Sequence, residues 1–352
     1  MEGATAGVGH GAAAVVLDVD GVLHKGPEPI AGAREALERL EAAGVPFIFV
    51  TNSGGETEEG KAAHYRRLLG WDAISPARLV QSHTPMRGLL PRFADRPVLA
   101  VGSSVASATR VMTNYGFTNF VTIQEFARRH PFLYPSKRYD EVEPAAETTA
   151  PRAPAAATVF EAIFILNHPE DWGEALQICV DLVLTNGNIL DTSRRAAPIT
   201  EEAGDEEQQQ LPVFLANPDL AYANQFHLMR FTNGAFHVCL EALYKSVSGR
   251  ELKSVLFGKP YRATYEYAIR RITELLEQRG HAEPPQRIYA VGDNPLSDIK
   301  GANGMGWTSI LVRTGCFQST DDNDSQHPAT HVCPSITEAV DYILQQEGLA
   351  HC

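Results

Sequence analysis

Asp18 and Asp20 stand at the end of an apolar run, AVVL at 14–17, and just before Gly21. Four apolar residues in succession read as a strand buried on both faces, and side chains two apart on a strand share a face. Both carboxylates are therefore expected to point the same way at the carboxyl end of a core strand, where open α/β sheets hold their ligands. Carboxylates that close repel unless a cation or a proton is shared between them. Taken alone, the stretch also reads as a strand ending in an ordinary Asp-Gly turn.

The elements that must position this pair follow along the chain. Apolar or small residues at Ala33, Ala36, Leu37 and Leu40, with charges between them and Gly44 after, predict an amphipathic helix over 30–43. A second buried strand is expected over 45–50, ending in Thr51-Asn52-Ser53-Gly54-Gly55. Strand, helix and strand at this spacing form a right-handed parallel crossover, which brings Thr51 and Asn52 beside Asp18 and Asp20. A hydroxyl, an amide and the backbone N–H groups of a Gly-rich turn suit a phosphate cradle; they equally suit a plain loop. Two further apolar runs end in polar clusters, 255–257 in Gly258-Lys259-Pro260 and 288–291 in Gly292-Asp293-Asn294, with Asp298 close behind. Elsewhere along the chain, strands are expected over 98–101, 159–166, 213–216 and 309–312, and helices over 61–69, 172–184, 234–246 and 264–278. The Pro-, Ala- and Glu-rich segment 136–158 and the acidic segment 201–210 read as loops.

At 352 residues, 44% hydrophobic and 21% charged, the chain has room for two domains or one domain with a large insertion. No apolar run approaches the roughly 18 residues of a membrane-spanning helix. A net charge of −13 supplies no basic footprint for nucleic acid or an anionic membrane surface. The five cysteines show neither CxxC nor zinc spacing and read as reduced thiols of an intracellular protein. MEGATAGVGHGAA at the start lacks a signal core and the arginines of a transit peptide, so the expected location is cytoplasmic, or mitochondrial through a targeting segment not evident here.

LDVDGVL, VTNSGG, LFGKP and VGDNPLSDIKGAN, in this order and each at an expected strand end, resemble the four motifs of the haloacid dehalogenase-like (HAD) superfamily. The long stretch between the second and third resembles its subfamily IIA. SHTP, FLANPDLAYAN and GKPYRATYEYA are similar to the cat-eye-syndrome critical region protein 5 family and its fungal relatives. The resemblance implies a doubly wound parallel α/β sheet, a Rossmann-like core over 1–82 and 252–352, with an α/β cap inserted over 83–251. It implies a Mg²⁺-dependent phosphatase in which Asp18 is the nucleophile and Asp20 the general acid, then base. Mg²⁺ would be held by Asp18, the Asp20 main-chain carbonyl and Asp293, with Asp298 supporting the metal waters or Lys259. Lys259 and Thr51 would bind phosphoryl oxygens, alongside Asn52, Ser53 and Gly54. The cap loop after Asn217-Pro218-Asp219, with Asp219, Tyr222, Asn224 and His227, would meet the leaving group.

Asp20 separates phosphoryl transfer from dehalogenation, which needs no leaving-group acid. Three function classes stay open: hydrolysis of a small phosphomonoester, phosphotransfer to another acceptor through the same residues, and a non-catalytic or regulatory relative linked to phospholipid metabolism. The partner expected is a small phosphorylated substrate, without nucleic acid or a membrane span, and the cap leaves room for a homodimer. His24, His83, His168 and His237 read as surface or core residues rather than ligands.

Overall fold

The computed structural model describes residues 13–139, 159–190, 211–222, 226–278, 280 and 283–349. Residues 140–158 of the expected loop 136–158, the expected loop 201–210, Asn224 and Cys352 lie outside the described residues. Contacts divide the chain into two units: Met1–Thr51, Ala62–Val80 and Arg262–Cys352 form one, Asn52–Lys61 and Gln81–Tyr261 the other. The first unit opens with β1 (Ala13–Leu17), β2 (Phe47–Thr51) and β3 (Leu79–Gln81), whose last residue is counted with the second unit. The second contains β4 (Val98–Val101), β5 (Phe120–Thr122), β6 (Ala162–Ile165), β7 (Val213–Ala216) and β8 (Ser254–Phe257). The first is completed by β9 (Arg287–Gly292), β10 (Thr308–Val312) and β11 (His331–Cys333).

The six-stranded sheet of the first unit runs β11-β10-β9-β1-β2-β3. β1 pairs in parallel with both β9 and β2, and β9–β10–β11 continue in parallel. Side-chain alternation along β1 shows why an unbroken apolar run was needed. Val15 and Leu17 enter a core with Leu37, Leu40 and the residues of the helix Ile336–Gln346, whereas Ala14 and Val16 enter a core with Ala268, Ile272 and Leu276 of the helix Arg262–Gln278. Both faces are covered, as a doubly wound sheet requires.

The second unit repeats the logic in a five-stranded, all-parallel sheet, β8-β7-β6-β4-β5. Leu99, Ile163 and Leu215 pack on one face with the helices Trp172–Leu184 and Asn233–Ser248; Ala100, Phe164 and Phe214 pack on the other with Val105–Tyr115. Phe164 is fully buried, with the rings of Phe93, Phe117 and Phe214 at 5.8, 5.1 and 5.1 Å. Phe164→Ala should therefore destabilise the protein by about 3–5 kcal/mol in urea unfolding; a loss below about 1 kcal/mol would place that ring outside any packed core.

By contacts the second unit runs to Tyr261, beside an expected boundary at 252. β8 pairs with β7 over four residues, from Ser254↔Val213 to Phe257↔Ala216, so the strand leading into Lys259 belongs to the second unit's sheet. β3, β5 and β11 have no counterpart in the sequence reading, because three residues are too few to display a period.

Candidate active site

In the first unit, Asp18 extends the β1 ladder by donating its N–H to Val291 O (2.9 Å), which seats it beside the end of β9, where Gly292 leads into Asp293. The chain then makes one wide, π-type turn over Pro295–Ile299. Asn294 N–H donates to Asp298 Oδ2 (3.0 Å), and Tyr265 Oη–H donates to Ser297 O (3.0 Å) from the neighbouring helix. Carboxylate oxygens of Asp18, Asp293 and Asp298, all buried, lie within 4.8 Å of one another. Asp293 Oδ2 also accepts the Cys316 N–H (2.6 Å). At Gly21, with φ +85°, a Cβ would fall 2.3 Å from Asp293 Oδ2; only glycine lets the turn after Asp20 close against that carboxylate. A buried, all-oxygen donor set of this size fits a hard divalent cation.

Asp298 thus stands with Asp18 and Asp293, where the sequence had set it one step behind them. Asp20 lies outside the carboxylate cluster and its side chain is 59% exposed. The physical reason is that β1 ends at Leu17 and the chain turns, Gly21 N–H donating to His24 O (2.7 Å), so alternation by two does not extend to residue 20. Thr51 Oγ1–H donates to Asp20 Oδ2 (3.2 Å), and His24 Nε2 lies 3.6 Å from Oδ1. Buried Tyr65 has its phenol pushed well up, by burial first and then by Asp20 and Asp18.

In the second unit, Asn52 serves Lys259. Its Nδ2 donates to Lys259 O (2.9 Å) and to Asp219 Oδ2 (2.9 Å), and its Oδ1 accepts Lys259 N–H (2.7 Å). With both amide hydrogens engaged, Asn52 clamps the turn that carries the buried Lys259. Ser53 Oγ accepts from Lys61 Nζ (2.6 Å). Asp219 holds the Asn52 amide, and His227 is exposed with its ring 4.3 Å from Phe226.

Sequence reasoning missed a buried relay in this unit. Gly55 N–H donates to His83 Nε2 (3.1 Å), which leaves Nδ1 as the protonated nitrogen of the neutral ring; Nδ1–H then donates to Tyr115 Oη (2.6 Å). Tyr115 Oη–H and Thr84 Oγ1–H donate to Glu58 Oε1 (both 2.8 Å), while Arg87 and Asn114 donate to Oε2 (3.2 and 3.1 Å). Burial pulls the Glu58 carboxyl upward, but its hydrogen bonds and Arg87 together hold it below the usual value. The only signal in the sequence was the SHTP stretch, whose histidine passes for an ordinary core residue.

Burial pushes His83 down from 6.5 to about 4, against the opposing pull of Glu58 and with Lys61 and Arg87 adding to the shift. A folded-state value below the unfolded one means that the unfolded chain takes up the proton first. His83's contribution to stability is complete above about pH 6.5, declines as pH falls, and is gone below about pH 4, a total of about 3 kcal/mol. Urea unfolding followed from pH 7.5 to 4 should show this decline in the wild type, and His83→Gln should remove it.

Two family models match the chain: "Haloacid dehalogenase-like hydrolase" over residues 15–118 and "HAD-hydrolase-like" over 256–339. A mitochondrial hydrolase of Saccharomyces cerevisiae is 31% identical over 351 residues, covering 95% of this chain and 96% of that one. A cardiolipin synthase (CMP-forming)/mitochondrial hydrolase fusion protein of Schizosaccharomyces pombe is 32% identical over 93% of this chain, which spans 52% of the fusion. Among solved structures, a glycerol phosphate phosphatase from Mycobacterium tuberculosis in complex with calcium is 19% identical with a TM-score of 0.60, covering 93% of this chain and 74% of that one, and shares the fold. Near-complete coverage at 31% identity, with family models matching both the β1 and the β9 sides of the carboxylate cluster, makes this chain a member of the haloacid dehalogenase-like hydrolase family.

Proposed function

We propose that the protein is a Mg²⁺-dependent phosphatase that hydrolyses a small phosphate monoester through an aspartyl-phosphate. The observation carrying the proposal is the buried Asp18–Asp293–Asp298 cluster, with a second, exposed aspartate, Asp20, two residues beyond Asp18. A carboxylate meant to attack phosphorus needs burial and a fixed position; one meant to exchange protons with a leaving group and with water needs access. In this reading the Asp18 carboxylate forms a bond to phosphorus as the ester P–O bond breaks, and Asp20 gives its proton to the departing alkoxide. Asp20 next takes a proton from the water that attacks the acyl phosphate, releasing inorganic phosphate and restoring Asp18. Before substrate binds, the Thr51 hydroxyl donates to Asp20 and holds that carboxylate in place.

Asp18, Asp293 and Asp298, with the Asp20 main-chain carbonyl, would hold Mg²⁺. Bound there, it would offset the repulsion between an anionic nucleophile and an anionic ester. Lys259 and Thr51 are assigned to the phosphoryl oxygens on the strength of their motifs, and Ser53 and Gly54 to the same loop. His227, exposed on the segment that follows Asp219, is proposed to meet the leaving group. The solved phosphatase with the same fold, crystallised in complex with calcium and with magnesium, supports a divalent ion and a small phosphorylated substrate. A mitochondrial location is proposed from the yeast relative, and no helix among the described residues is long and apolar enough to cross a membrane.

Assay of glycerol, sugar, nucleotide and cofactor phosphates with Mg²⁺ should give phosphate release from at least one class, with product in an added alcohol below a tenth of that released to water. Dominant transfer to the alcohol would make the protein a phosphotransferase. No release from any ester would leave the regulatory reading, which the relative's fusion to a cardiolipin synthase favours.

A further inference from the structure

We propose that His83 is a positioning residue for the phosphate-binding loop: by accepting Gly55 N–H on Nε2 and donating from Nδ1 to the Tyr115–Glu58 pair, it sets the Ser53–Gly55 backbone in its anion-receiving form. The inference rests on the phosphatase reading for the identity of the anion and goes beyond it in naming what shapes the loop. A Ser-Gly-Gly turn, with two glycines in three residues, loses more backbone freedom on ordering than a turn without glycine would, so donors aimed at a phosphate need an outside constraint to stay aimed. The second unit supplies that constraint on each side of the loop. Gly54 lies so close on the imidazole that a Cβ would meet His83 Cδ2 at 2.9 Å and Ser82 Oγ at 3.1 Å. Gly55 has φ +84°, its N–H is taken by His83, and its carbonyl accepts from Ser107 Oγ. One residue on, the Glu56 carbonyl accepts from Gln81 Nε2 (2.9 Å).

The direction of each bond carries the argument. A backbone N–H can only donate, so His83 must keep Nε2 bare; the Nδ1 proton is held there because Tyr115 Oη is free to accept it, its own proton being given to Glu58. Glu58 in turn keeps its place through Thr84, Arg87 and Asn114. The chain of donors ends at a carboxylate on the helix that begins directly after the loop, so the loop is tied back to its own exit. A histidine that only filled space would need neither this tautomer nor this partner.

The test uses the full chain labelled with ¹⁵N-histidine and ¹⁵N-glycine, and inorganic phosphate as the probe, with and without Mg²⁺. His83, assigned by its disappearance in His83→Gln, should show a protonated Nδ1 and a bare Nε2, and the Gly54 amide should shift as phosphate is added. His83→Leu should weaken phosphate binding by about tenfold, Tyr115→Phe by about threefold, and His83→Gln, which keeps an acceptor for Gly55, should recover to within about threefold of wild type. Tyr115→Phe conserves shape and serves if His83→Leu does not fold. A protonated Nε2, a Gly54 amide indifferent to phosphate in the wild type, or unchanged affinity in folded variants would each overturn the proposal. Phosphate binding at the Gly54 amide in a protein that cleaves no ester would overturn the phosphatase reading instead, leaving the role of His83 to be decided by the variants.

Discussion

Asp18→Asn is expected to give a folded protein whose phosphomonoesterase turnover is lower by about 10⁴-fold or more. The substitution keeps the size of the side chain and its place at the end of β1, where the backbone N–H still donates to Val291. An amide cannot attack phosphorus to form an acyl phosphate. Removing one of three buried carboxylates that approach within 4.8 Å relieves like-charge crowding, so the melting temperature without metal should equal or exceed that of the wild type. The check is single-turnover kinetics on the best ester from the panel, together with a thermal melt. Turnover within tenfold of wild type would exclude the covalent route; a lowered melting temperature would mean that the Asp18 carboxylate has a stabilising partner stronger than the repulsion it suffers.

The second large effect concerns the metal. Mg²⁺ at about a hundred times its dissociation constant should stabilise the wild type by about 2.7 kcal/mol, and a chelator should abolish both that gain and the activity, reversibly. Asp293→Ala should lose the response entirely, by more than the roughly 10–100-fold in affinity that a supporting residue typically carries. Because Asp293 also accepts the Cys316 N–H and packs against Gly21 and Gly315, the alanine variant combines lost ligation with a cavity. Asp293→Asn keeps the volume and isolates the charge. Calorimetric titration of both variants and of Asp298→Asn measures the effect directly. If Asp298→Asn bound Mg²⁺ as the wild type does, that residue would be a support for the turn and the sequence-based ranking of the three carboxylates would stand.

The parts legible in the sequence are those where chemistry and secondary structure speak together. β1 and β9 were visible because strands buried on both faces leave apolar runs, and Asp18 and Asp293 because each follows such a run directly. The grouping of Asp298 was less visible, since the wide turn over Pro295–Ile299 that brings it back to Asp18 and Asp293 has no signature beyond its Asn-Pro start. The partners of Asn52 were hidden for a different reason: an amide in a polar loop shows nothing of Lys259 and Asp219, which arrive from some 170 to 210 residues downstream. His83 was opaque on the same ground. Its meaning lies in which nitrogen faces Gly55 and which faces Tyr115, and nothing local specifies that. β8 shows the limit from the other side, an element found correctly whose sheet depended on a partner, β7, about forty residues earlier.

The pairing of Val15 with Tyr289 also bears on how the chain reaches its native state. The central ladder of the six-stranded sheet closes a loop of about 270 residues, and loop closure of that length is a late, entropically costly event. During synthesis the chain emerges from its amino end. β1 and β2 are therefore made, and the parallel ladder of β4 to β8 completed, before the strand that pairs with the other side of β1 exists. Until β9 is made, β1 presents an apolar strand edge, the kind of surface on which chaperones act and aggregation begins. A refolding experiment should then show the second unit's aromatic cluster around Phe164 protected from hydrogen exchange earlier than the amides of β1 and β9, and carboxylates assembled on that ladder gain their geometry last of all.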